Sequence, residues 1–132
     1  MKKTALLHSE LSKVIAMMAH GDTILIGDAG MPCPKGVPFI DLALTKGSPR
    51  FMDVLSVILS ELDVAQGYIA QEQAEKSPHL HKEMVEHIGD AFPLADMPHT
   101  DLKLKSANCR AMIRTGEFTP FANIILESGV VF

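Results

Sequence analysis

Three places in the chain hold side chains able to move protons or grip a polar ligand. His20 is followed eight residues later by Asp28, with the apolar run Ile24-Leu25-Ile26 between them. His99 stands in Met97-Pro98-His99-Thr100. The third place is Arg114-Thr115-Gly116-Glu117-Phe118-Thr119-Pro120-Phe121-Ala122-Asn123, between the apolar runs Ala111-Met112-Ile113 and Ile124-Ile125-Leu126. Gly116 and Pro120 mark this polar stretch as turn-forming. An Arg, a Glu and an Asn brought together at strand ends suit hydrogen bonding to a polar ligand. They equally suit a hairpin whose polar groups cap only its own backbone, and spacing leaves both readings open. Histidine changes charge near neutral pH, so His20 fits general acid–base work. A histidine closing a helix also serves the helix dipole alone, worth ~0.3–1 kcal/mol at exposed sites.

Other chemistries find less support. His79 and His81 flank Leu80 at the start of a helix, with His87 further along it. A spacing of two puts side chains on different helix faces, so no metal site is expected. Gly27-Asp28-Ala29-Gly30 lacks both the Walker lysine pattern and the spacing of a dinucleotide-binding turn. Cys33 lies between prolines and Cys109 beside an apolar strand, neither with an adjacent base to make it a nucleophile. Two cysteines make no disulfide framework, and a reducing cytoplasm is the expected setting. A formal charge of −4 without a Lys/Arg cluster argues against nucleic acid or an anionic membrane as partner. No apolar run approaches the ~20 residues of a membrane span. The N-terminal Met1–Leu7 begins like a signal peptide, but His8, Ser9 and Glu10 end its apolar part too soon.

The elements that must position these residues are legible from periodicity. With 132 residues, 47% of them apolar, the chain is expected to form one domain, 1–132, with a real core. Leu11, Val14, Ile15 and Met18 mark one face of a helix over Ser9–Ala19, with Gly21 as its cap. Ile24-Leu25-Ile26 reads as a strand buried on both faces, and the Pro- and Gly-rich stretch 28–36 as a loop at its carboxyl end. A second strand is expected over Phe39–Leu44. Ser48-Pro49 opens a helix with the stripe Phe51, Val54, Leu55, Ile58 and Leu62. A weaker strand follows at Gly67–Ala70. Ser77-Pro78 then starts a helix whose stripe of Leu80, Met84, Val85 and Ile88 runs to Gly89. Thr100 is the expected cap of a short helix near Asp101, and strands at Arg110–Arg114 and Ala122–Leu126 close the order. Helices alternating with apolar strands predict an α/β domain with a mostly parallel sheet covered on both faces. Ligands in such sheets sit outside the carboxyl ends of the strands, which points to Asp28 and to the 114–123 segment.

The ten residues Arg114–Asn123 resemble the C-terminal signature of the D-ribose pyranase and fucose mutarotase family, usually R-T-G-E-x-T-P-Y-A-N. Phe121 is the one departure, keeping the ring of the usual Tyr and losing its hydroxyl. His20-Gly21-Asp22 with Ile26-Gly27-Asp28-Ala29-Gly30 resembles the family's N-terminal signature. The resemblance implies a three-layer α/β/α sandwich and a sugar mutarotase that opens and closes the ring of D-ribose without cofactor or metal. It implies His20 as the catalytic acid/base, with Asp28, His99, Asn123 and the Phe121-Ala122 backbone holding sugar hydroxyls; Glu117 is a candidate second acid/base. Histidine at position 99 is the ribose-type residue, where fucose-type members tend to carry arginine. Homo-oligomeric rings, described as decamers, with sites near subunit boundaries are implied as well. The apolar Val130-Val131-Phe132 leaves surface for association. Two alternatives remain open, a fucose-type mutarotase and a non-catalytic pentose-binding or regulatory subunit.

Overall fold

The computed structural model describes residues 1–132. A six-stranded sheet forms the middle layer, built from β1 (Thr23–Gly27), β2 (Phe39–Asp41), β3 (Val64–Ala70), β4 (Leu94–Met97), β5 (Met112–Arg114) and β6 (Ile124–Ser128). The strand order is β2-β5-β1-β6-β3-β4. β6 runs antiparallel to both its neighbours, while the other strands share one direction. Ile24, Leu25 and Ile26 of β1 are wholly buried because a central strand has both faces covered.

The helices are α1 (Ser9–Met17), α2 (Phe51–Leu59), α3 (Glu72–Lys76), α4 (Pro78–Ile88) and α5 (His99–Ser106). Alternation along the strands sends Ile24, Ile26, Ile113, Ile124 and Leu126 to one face, where they pack with Leu11 of α1, Phe51 and Leu55 of α2 and Met84 of α4. Leu25, Met112 and Ile125 point to the other face, against Leu102 of α5 and Met31 of the loop after β1. The expected α/β/α sandwich is present, with one face carrying most of the helical cover.

Several boundaries differ from the periodicity reading, some through local turns and caps and some because a partner remote in sequence takes over a local role. α1 stops at Met17 with Met18 as its C-cap, and Gly21 (φ 84°) serves the turn beyond. β2 ends at Asp41, short of Leu44, since the chain turns back at Thr45–Ser48. Ser48 is not the cap of α2; its carbonyl accepts from Leu44 N and Thr45 N in that turn. Arg50 is the N-cap, and Asp53 reaches back to its amide. α5 starts at His99 behind Pro98, and Thr100 caps nothing, because Glu72 accepts the His99 amide at 2.9 Å. Ser77 precedes α4 as expected, yet its hydroxyl donates to Pro120 O at 2.6 Å instead of capping the helix. Val85 stands 39% exposed, outside the buried stripe of α4. α3 and β4 are additions to the expected order: α3 is a five-residue polar turn, and β4 is an edge strand of four residues.

Candidate functional site

The polarity of the sheet explains where the polar residues meet. Asp28 follows β1, Glu72 and Gln73 follow β3, and His99 follows β4, so all leave the carboxyl ends of parallel strands. Asn123 precedes β6, but β6 is antiparallel, which brings its amino end to the same edge; Ile124 pairs with Ile26. The order β1-β6-β3-β4 therefore lays Asp28, Asn123, Gln73 and His99 side by side.

Asp28 and Asn123 are joined twice. The Asp28 amide donates to Asn123 Oδ1 at 2.9 Å, and Asn123 Nδ2 donates to Asp28 Oδ2 at 3.1 Å. Asp28 Oδ1 accepts from Gly30 N at 2.9 Å. Asn123 is 1% exposed, so its amide cannot turn away to water. Burial pushes the Asp28 carboxyl above its ordinary value; the Gly30 amide, the Asn123 side chain and nearby His99 pull the other way without cancelling it. A carboxylate so held keeps lone pairs free for hydroxyl donors. Beside it lies an open cleft of about 350 Å³, walled by Ala29, Gly30 and Glu117–Pro120.

His99, near enough to Asp28 for their charges to interact, packs against Phe121, ring edge to ring face with centroids 5.1 Å apart and planes at 85°. Burial lowers the His99 pKa, Lys103 lowers it further, and Glu72 and Asp28 oppose both. Its Nδ1 is buried without a hydrogen-bond partner. Phe121 has φ 60°, the left-handed region that side chains rarely adopt. Its carbonyl accepts from Asn123 N at 2.8 Å and from Gln73 Nε2 at 2.9 Å. Ala122 is wholly buried between them.

The polar residues of 114–123 are not delivered together. Arg114 pairs through Nε with Asp41 Oδ1 at 2.9 Å, its register partner on β2, and this bond holds the Asp41 carboxyl low. Glu117 faces α2: its Oε1 accepts from Phe51 N at 3.1 Å and its Oε2 from Thr119 Oγ1 at 2.9 Å. Thr115 is buried, donating through its hydroxyl to Gly27 O at 2.8 Å. Only Asn123 of that trio meets Asp28.

His20 lies elsewhere in the same chain. It is exposed in the turn before β1, whereas Asp28 follows β1, so the five residues Thr23–Gly27 separate them. At ~3.3 Å per residue that is roughly 17 Å. Gln73, His81, Glu72 and Ser77 support the site and carry no motif that marks them. Gln71–Lys76 is polar apart from Ala74 and shows no apolar period from which a helix would be read.

Fold and site define an α/β/α protein with a polar, aromatic-edged shelf at one edge of the sheet. Residues 1–131 match the model of the RbsD / FucU transport protein family, and the chain belongs to that family. It is 54% identical over 132 residues to a protein of Coprothermobacter proteolyticus named D-ribose pyranase, the whole of both chains being covered. The solved structure of Bacillus subtilis RbsD complexed with D-ribose superposes with a TM-score of 0.96 at 39% identity, again over both whole chains. The fucose mutarotase of Streptococcus pneumoniae, solved with L-fucose, gives a TM-score of 0.72 at 24% identity, covering 95% of this chain and 94% of that one, and shares the fold.

Proposed function

We propose that this protein is a D-ribose pyranase, interconverting the β-pyranose and β-furanose forms of D-ribose by acid–base ring opening and closure. The observation that carries the reading is the Asp28–Asn123 pair facing His99 and Phe121 across one strand edge, in a chain 54% identical end to end to a named D-ribose pyranase. Opening takes the proton from the anomeric hydroxyl as the C1 carbonyl forms, breaks the bond from C1 to the ring oxygen, and protonates that oxygen. Closure adds a different hydroxyl to C1, releases its proton, and reprotonates the carbonyl oxygen. Protons balance and no electrons leave, so neither a redox cofactor nor a covalent nucleophile enters. General acid–base help of this kind is worth ~10²–10⁴-fold, and positioning adds to it.

In this reading Asp28, Asn123 and His99 hold sugar hydroxyls, and Phe121 offers a ring face, with the backbone of Phe121 and Ala122 beside it. A buried hydroxyl left unpaired costs ~1–3 kcal/mol, which is why the shelf is polar on one side and aromatic on the other. His20 is the proton carrier. Because it stands at the far end of β1, it acts on the shelf of a neighbouring copy, and the working form is a homo-oligomer, a decameric ring by family likeness. The cytoplasm is the proposed location.

Magnetisation-exchange NMR on D-ribose tests the reading: catalytic amounts of protein should speed exchange between pyranose and furanose signals. Binding of ribose without faster exchange would instead identify a pentose-binding subunit. Faster exchange of fucose than of ribose would move the assignment to the fucose-type branch, against the histidine at position 99.

A further inference from the structure

The carbonyls of Phe121 and Asn123 share one side-chain donor beneath the loop. Gln73 is 0% exposed, and its Nε2 donates to Phe121 O at 2.9 Å and to Asn123 O at 3.4 Å. Both partners are carbonyl oxygens, so the amide has one workable orientation, with Nε2 toward the loop and Oε1 away. Oε1 lies 3.0 Å from His81 Nδ1. Oε1 can only accept, which requires a hydrogen on His81 Nδ1; the neutral Nδ1–H ring and the imidazolium both supply it. The loop needs such a hold, since Phe121 sits at φ 60°, a conformation that persists only where its surroundings over-determine it.

The geometry points to His81 and Gln73 as a two-residue positioning relay, in which His81 fixes the Gln73 amide and Gln73 fixes Phe121 and Asn123 for the sugar. Neither residue touches the substrate, and the inference rests on the mutarotase reading of the shelf. An acceptor-only side chain at position 81 would turn the Gln73 amide over, set its oxygen against two carbonyls and release the loop.

His81→Asn and His81→Asp test this as a near-isosteric pair, since Asn keeps an N–H where Nδ1 stands and Asp puts an oxygen there. Two readouts are taken: KM and kcat for ribose from exchange NMR, and, without sugar, the His99 ring-proton shifts, which feel the ring current of Phe121 5.1 Å away. H81N should keep the wild-type shifts and a KM within about twofold; H81D should lose the ring-current shift and raise KM roughly tenfold, with kcat falling less. A merely structural role would lower the melting temperature of both variants and leave KM of the folded protein unchanged. H81D matching H81N in shifts and KM would overturn the relay. Should H81D fail to assemble, Gln73→Met, of similar length and without hydrogen-bonding groups, is read in the same way. If wild-type protein did not speed ribose exchange, the mutarotase reading would fall, while the sugar-free ring shifts would still decide the relay.

Discussion

Asn123 grips Asp28 at two points, accepting its backbone amide at 2.9 Å and donating to its carboxylate at 3.1 Å, across 95 residues of sequence. One side chain thereby sets both the path of the chain leaving β1 and the direction of the carboxylate. Removing the amide, as in Asn123→Ala, should cost more in ribose binding than the loss of its own contact, because Asp28 is released as well. Asn123→Asp should be worse still, since it sets two carboxyls together in a buried site. Calorimetric titration with ribose ranks the variants. An Asn123→Ala affinity within twofold of wild type would remove the pair from the binding site.

His20→Ala should lose most of the accelerated exchange, on the order of 10²–10⁴-fold, with the fold intact. Asp28→Ala should be equally inactive. Co-refolding the two variants into mixed oligomers should restore part of the activity, because some boundaries then join an intact His20 to an intact Asp28. Activity restored in neither the mixture nor any refolding ratio would place His20 outside the shelf of a neighbouring copy.

Two shelf groups bear on the acid limb of ribose binding. Hydroxyl binding by the shelf requires ionised Asp28 and neutral His99. The Asp28 carboxyl is raised above 3.8 and the His99 imidazole lowered below 6.5. Ribose binding should therefore persist as pH falls past 6.5 and weaken between that point and 3.8. Lys103 pushes the His99 pKa down and Glu72 pushes it up, so Lys103→Met should move the limb to higher pH and Glu72→Gln to lower pH. Ribose titrations across a pH series check the signs, and identical limbs in both variants would show that His99 does not govern this side of the binding profile.

Glu117 is engaged by α2 and Thr119, which leaves it a capping role. Glu117→Gln keeps an acceptor for Phe51 N and should change exchange rates less than about threefold while costing ~1 kcal/mol of stability. Gly116→Ala should be harsher, since a Cβ there would stand 2.4 Å from Ser48 O and 2.6 Å from Thr45 O. Both obstacles are backbone, so ~1–3 kcal/mol of destabilisation is expected. Thermal melts separate the two, and a rate collapse in well-folded Glu117→Gln would return Glu117 to the chemistry.

Phe121→Tyr restores the residue usual in the family. Phe121 is half-buried with its ring against His99, so a hydroxyl can meet sugar or protein if the shelf keeps the family shape. The expected gain is ~0.5–1.5 kcal/mol, up to roughly tenfold in ribose affinity. A clear loss in a folded, assembled variant would show a site repacked around phenylalanine.

Periodicity alone determined the elements that bury their own apolar faces. The stripe Phe51, Val54, Leu55, Ile58 declares α2, and Ile24-Leu25-Ile26 declares a central strand, because burial leaves a local trace at spacings of 3.6 and 2. The two signatures likewise marked His20, Asp28 and the 114–123 segment. What no local pattern held was the partner of each polar group. Arg114 belongs to Asp41, Glu117 to the start of α2, and Gln73 to the carbonyls of Phe121 and Asn123, and each pairing spans tens of residues. α3 and β4 stayed hidden for the same reason, one being polar apart from Ala74 and the other a short edge strand whose only strand partner is β3. The meeting of Asp28 with Asn123 depends on β6 running antiparallel, a choice made by packing and hydrogen-bond register across the sheet. Hydrophobic burial is written residue by residue along the chain, whereas hydrogen-bond partnership is settled only when distant segments share one edge.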